Sequence, residues 1–133
     1  MGIGRGLLKK KQVKIEYMSK QILYIAHKIS GDIPGNLNRI GEIYRLLSLQ
    51  NEVIPFAPYI ATLSCLDDNI PQERSIGFIH NKEFFKRKMF DAMGVFSATS
   101  PGVAQEIRWC EAYGIEVVDY TYWVKKYLEE VKL

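Results

Sequence analysis

The sequence predicts an α/β domain built on a parallel sheet, and two observations carry this. Apolar runs of strand length alternate with stretches of helical periodicity, giving the order βαβαβαβα along 133 residues. The first run, Gln21 to Ala26, is apolar from Ile22 onward instead of alternating, the pattern of a strand covered on both faces. Strands that alternate with helices imply right-handed crossovers, with helices on both faces of the sheet. Ligands of such sheets bind beyond the carboxyl ends of the strands.

Each element has its own signal. After the first strand, the loop 27–35 combines Gly31, Pro34 and Gly35 with small polar groups, which marks it as non-helical. Asn36 or Asn38 then suits the cap of a helix to about Gln50, with Leu37, Ile40, Ile43, Tyr44, Leu46 and Leu47 on one face. The second strand is expected at Val53 to Pro58, its prolines marking an exit or an edge position. Tyr59 to Ile70 reads as a long connection, and Pro71 as the start of a helix to about Lys88 with a break near His80-Asn81. Ala92 to Phe96 is the third strand. A helix follows from Pro101 to Tyr113, ended by Gly114. Ile115 to Val118 is the fourth strand, and Thr121 to Val131 a final amphipathic helix. The expected fold is a single three-layer Rossmann-like or flavodoxin-like domain over 20–133, with four to five parallel strands.

Composition narrows the function classes. The chain has room for one core. No apolar run approaches the roughly 20 residues needed to span a membrane, and no hydrophobic segment follows the basic N-terminus, so a cytoplasmic protein is expected. The net charge of +3 is uneven: residues 1–20 carry a balance of +5, leaving −2 for the remainder. Residues 1–19 therefore read as a basic tail, a solubilising leader or a contact for nucleic acid, while the body is no nucleic-acid binder. Cys65 and Cys110, with His27 and His80, lack zinc spacing, so ordinary thiols and no metal or other cofactor are expected.

Two loops look chemically equipped. Ser100-Pro101-Gly102 follows a strand and opens a helix, where free N–H groups attract anions. Gly102 lets backbone approach a ligand, and Ser100 either caps the helix or donates to a phosphate oxygen. Glu106 lies one to two turns in, its side chain leaning toward the helix N-terminus. Its plainer account is a solvated helix acid. Lys28, Ser30 and Gly31 form a complementary half after the first strand, although no Walker or dinucleotide fingerprint is present. His27 fits an acid, a base or a loop-stabilising donor. Asp67 and Asp68 point to opposite sides if extended, so one of them faces a site. Asp91 suits the positioning of its strand, and Glu83 is a further acid near the same sheet edge.

The segment Tyr24-Ile25-Ala26-His27-Lys28-Ile29-Ser30-Gly31, followed by Ser100-Pro101-Gly102-Val103-Ala104-Gln105-Glu106, resembles the nucleoside 2-deoxyribosyltransferase-like superfamily. That group includes the 2′-deoxynucleoside 5′-phosphate N-hydrolases. Its motifs have the forms Y-[IF]-[AC]-G-x-I-x-G and S-x-G-x-x-x-E. A nearer resemblance is to uncharacterised bacterial and phage members, through Ala57-Pro58-Tyr59, Leu66-Asp67-Asp68 and Pro71-Gln72-Glu73-Arg74-Ser75-Ile76-Gly77. The resemblance covers about residues 20–120.

It implies cleavage or exchange of an N-glycosidic bond of a nucleoside or nucleotide, with Glu106 as the nucleophile on C1′ and no cofactor. Ser100 and Gly102, with Lys28, Ser30 and Gly31, would hold a 5′-phosphate or ribose hydroxyl, and Tyr24 belongs to the same first motif. His27 stands where the family has glycine. The second acid expected before the third strand has Asn81 and Glu83 near its place, with Asp67 or Asp68 as substitutes. The resemblance also implies a homo-oligomer. A non-catalytic nucleotide-binding module on the same scaffold is the alternative.

Overall fold

The computed structural model describes residues 20–130. The basic segment 1–19 lies outside them, as does the end of the chain, 131–133. Four strands, β1 (Ile22–Ala26), β2 (Ile54–Phe56), β3 (Ala92–Val95) and β4 (Glu116–Asp119), pair in parallel in the order β2-β1-β3-β4. The chain leaves β1 for β2 on one side, then crosses back to β3 on the other. That reversal makes the crevice above β1 and β3 the natural ligand position. Among the described residues, no helix is long and apolar enough to cross a membrane.

Side-chain alternation in β1 sorts the core into two layers. Leu23 and Ile25 face a cluster with Ile40, Ile43 and Leu47 of α1 (Ile33–Gln50) and with Val124 and Leu128 near the C-terminus. Tyr24 and Ala26 face the opposite cluster. There they meet Phe85 of α3 (Pro71–Lys86) and Val103, Trp109 and Cys110 of α4 (Pro101–Tyr113). Helices on both faces make the domain a three-layer α/β fold of the expected type, with four strands.

Several local expectations need correction. Helix α1 begins at Ile33, because Asp32 takes the cap: its Oδ1 accepts from Gly35 N at 3.1 Å. Pro34 fits the first turn, where its missing N–H costs nothing. Asn36 is instead buried, its amide donating to the Ile29 carbonyl at 2.8 Å. The expected long connection after β2 contains a helix, α2 (Tyr59–Cys65). α3 runs without a break through His80-Asn81 and ends at Lys86. β2 is shorter than expected and pairs with β1 alone, so Pro55 sits on an edge strand, where a missing donor is tolerated. The last helix is one α-turn, α5 (Thr121–Val124), continuing as a π-helical segment, Lys125–Glu130.

Two contacts set the crevice. Asp91 Oδ2 accepts from the backbone N–H of Ile22 at 2.8 Å, fixing β1 against β3 at the far end of the sheet. At the carboxyl end, Lys28 N donates to Ser97 Oγ at 3.0 Å, joining the loops that leave the two central strands.

Gly94 is required by packing. A Cβ there would lie 2.6 Å from a Phe96 ring carbon and 2.9 Å from one of Tyr120, two rings stacked at 4.6 Å. Gly94→Ala is expected to destabilise the fold by about 1–3 kcal/mol, read as a lower urea midpoint.

Candidate functional site

The crevice holds a cleft of about 270 Å³ bounded by the β1–α1 loop, the first turns of α4 and the middle of α3. Its centre is a three-residue network. Tyr24 OH donates to Glu106 Oε2. Asn81 Nδ2 donates to the same Oε2 at 3.3 Å and to the Tyr24 hydroxyl at 2.9 Å. Both hydrogen bonds to the carboxylate fall on Oε2. Among the described residues no buried side-chain oxygen lacks a partner, so Oε1 reaches solvent on the cleft side.

Sequence places each member. Tyr24 is the third residue of a strand covered on both faces, and it is fully buried. The rings of Phe85 at 4.8 Å and Phe90 at 4.9 Å hold its phenol in one orientation. Burial, with the adjacent Glu106 charge, pushes its pKa well above 10, so the hydroxyl remains a donor. Glu106 lies six residues beyond the cap Ser100, and its side chain leans back to the cleft floor. Burial lifts its pKa from 4.5 to about 7, against the lowering pull of the hydrogen bonds from Tyr24 and Asn81. Protein surrounds the carboxylate on most sides while its outer oxygen stays wet. That is the environment of a poised carboxyl, not of a solvated helix acid.

His27 is buried in the same cleft wall. Its ring Nδ1 lies 2.8 Å from the Lys28 carbonyl, which assigns the proton to Nδ1 and leaves Nε2 an acceptor. Burial lowers its pKa, so the ring is neutral at pH 7.

Ser100 serves as the helix cap, accepting from Val103 N at 3.2 Å, and also borders the cleft. Gly102 borders it too: a Cβ there would meet only Ser100 Oγ, at 3.9 Å. Ser30 lines the same wall. Lys28 and Gly31 do not line the cleft. Lys28 contributes its backbone N–H to Ser97, and Gly31, at φ +97°, turns the loop away. Asp67 is in a turn of its own, Oδ1 accepting from Asn69 N at 2.9 Å. Asp68 lines an adjoining groove of about 180 Å³. Glu83 is exposed and paired with Arg87 at 2.5 Å. Among the described residues no other carboxyl therefore joins Glu106 in its cleft, and Asn81 occupies the adjacent place.

Phe78, Arg74, Tyr59 and Trp109 also border the cleft. The available signal was the helical spacing of Arg74, Phe78 and Asn81, which stacks them on one face of α3. Tyr59 OH donates to the Ile25 carbonyl at the end of β1. Cys110 is buried, its thiol pushed to about 12, and takes no part in the cleft.

The Glu106 shift has a consequence for stability. The unfolded chain loses this proton near 4.5 and the folded chain only near 7, so the native state binds more protons in between. Stability then falls as pH rises across that window. Glu106→Gln, which lacks the charge, is expected to gain on wild type between pH 4 and pH 8. The gain is on the order of 3 kcal/mol, followed by chemical denaturation at each pH.

No curated protein and no solved structure matches the chain. Residues 21–120 match Domain of unknown function (DUF7768), a span from the residue before β1 to the residue after β4. The chain belongs to the family of Domain of unknown function (DUF7768).

Proposed function

We propose that the protein cleaves or exchanges the N-glycosidic bond of a (deoxy)nucleoside or nucleoside 5′-monophosphate, with Glu106 as the nucleophile. The observation that supports this best is the one-sided anchoring of the carboxylate. Tyr24 and Asn81 bind Oε2, and Oε1 opens to the cleft. Attack of Oε1 on C1′ displaces the base and leaves a glycosyl ester. Water then releases the sugar, or a second base accepts it. The donors that orient the carboxylate also favour its ionised form. The superfamily resemblance at Tyr24–Gly31 and Ser100–Glu106 points to the same role. Ser30 and Gly102, which border the cleft, suit the phosphate or a sugar hydroxyl. A cytoplasmic setting agrees with the free thiols Cys65 and Cys110. Apolar side chains left exposed on α3 beside the cleft, Ile76 and Ile79, favour self-association.

One observation favours a second reading, a non-catalytic nucleotide-binding module: Asn81, not an acid, adjoins Glu106. Turnover separates the two. Wild type incubated with a panel of nucleosides and 5′-monophosphates should release free base, detected by chromatography. Glu106→Ala should lower that release by at least about 10³-fold while calorimetry still detects nucleotide binding. Binding by wild type without base release would support the module instead.

The nucleophile must be ionised, so kcat/KM should rise with pH through about 7, the value to which burial lifts Glu106. Tyr24→Phe removes a donor to the carboxylate. Its pH–rate midpoint should move upward by about one unit, read from the same assay at constant ionic strength.

A further inference from the structure

The reading of Glu106 as nucleophile leads to a narrower substrate class. The cleft over Glu106 and the adjoining groove between α2 and α3 are two lobes of one channel, since Ser30, Arg74 and Gly102 border both. α3 sets the scale along it. Asn81 touches Glu106, and Arg74 lies seven residues earlier, ~10 Å along the helix axis. Beyond Arg74 the second lobe carries Asp68, beside Glu73, which is engaged at Oε1 by Asp67 N at 3.1 Å. Among the described residues, neither the Arg74 guanidinium nor the Asp68 carboxylate has an ion pair or side-chain hydrogen bond. The channel therefore presents a nucleophile, then a free cation, then a free acceptor. Its complement is an electrophilic carbon, then an anion, then a group bearing hydrogen-bond donors.

The first lobe also restricts the leaving group. Glu106 is its one carboxyl among the described residues. The Nδ1 proton of His27 is engaged by the Lys28 carbonyl, and the Tyr24 and Tyr59 hydroxyls donate to Glu106 and to the Ile25 carbonyl. None of these groups supplies a proton readily to a departing base at neutral pH. A base attached through a cationic ring nitrogen needs no proton, because the electrons of the breaking bond neutralise it. The half-exposed Phe78, set edge-on to Trp109 at 5.1 Å, provides an aromatic wall for such a ring.

We propose that the channel takes a pyridinium dinucleotide: the nicotinamide-type ring and its ribose over Glu106, the bridging diphosphate at Arg74, and the second nucleoside's donors at Asp68. Glu106 Oε1 bonds to C1′ as the C1′–N bond breaks, and the electron pair passes to the ring nitrogen, releasing a neutral pyridine base. Water then bonds to C1′ and the C1′–Oε1 bond breaks, its electron pair restoring the carboxylate. The water proton passes to Nε2 of His27, which lines the same lobe, and on to solvent. Dinucleotide and water thus give free base, the remaining ribosyl dinucleotide and one proton, with no redox change.

The test uses the full chain with three probes: oxidised nicotinamide adenine dinucleotide, its reduced form, and nicotinamide mononucleotide. Free base is measured by chromatography. Release is expected from the oxidised dinucleotide and not from the reduced one, whose ring is uncharged. The mononucleotide should show a kcat/KM about tenfold lower. Asp68→Asn should bring the dinucleotide-to-mononucleotide ratio of kcat/KM toward one, and Arg74→Gln should lower kcat/KM for both. A ratio near one in wild type, or a ratio unmoved by Asp68→Asn, overturns the second lobe as a subsite. Cleavage of neutral-base nucleotides without cleavage of the oxidised dinucleotide overturns the pyridinium assignment and leaves the nucleophile standing. Release from none of these substrates overturns both.

Discussion

The hydrogen bond from Tyr24 to Glu106 is the constraint on which the rest of the site depends. A carboxyl buried among apolar groups is tolerated only with donors that offset its desolvation. The sheet provides the first, a phenol rooted in the most buried strand and packed by Phe85 and Phe90. α3 provides the second through Asn81. The three elements that meet at Glu106 are therefore those whose side chains form the core beneath it, including Phe85 and Trp109 at 5.1 Å. Site and core are one packing problem. A change that loosens α3 from α4 also alters the proton affinity of the carboxylate.

Topology explains why this meeting occurs where it does. The chain leaves β1 toward α1 on one face of the sheet and leaves β3 toward α4 on the other. The two loops part at the carboxyl edge, beyond the ties from Phe96 N to the Ala26 carbonyl and from Lys28 N to Ser97 Oγ. The gap between them is the cleft. Two of its walls differ in character: the β1–α1 loop offers a neutral imidazole and a hydroxyl, and α3 offers an amide, an aromatic ring and a guanidinium.

Much of this was legible in the sequence, for local reasons. β1 announced itself by an unbroken apolar run, and α4 by Ser100, Pro101 and Gly114 at its ends. Glu106 followed from its distance to the cap. α2 was hidden because none of its residues is buried and prolines precede it, so no periodic apolar signal forms. The site half on α3 was hidden for a related reason. Ile76 and Ile79 are exposed while Phe85 alone is fully buried, so the apolar pattern does not report which face turns inward. Arg74 and Phe78 gain meaning only once that face is known. Asn36 has the chemistry of a cap, yet Asp32 stands closer to the turn and takes the role. Asp67 and Asp68 suggested a second acid by type alone, whereas the turn that holds them lies beyond the first lobe.

The buried Asn36 has a consequence for how a ligand arrives. From the first turn of α1 its amide donates to the carbonyl of Ile29 at 2.8 Å and to that of Ser30 at 3.5 Å, and both residues border the cleft. The loop is thus stapled to the helix behind it and cannot swing as a separate flap. A molecule diffusing in meets a wall already in its final shape, so little ordering entropy is lost on docking. Selection then happens at first contact, by shape and charge, and not through a later closing motion.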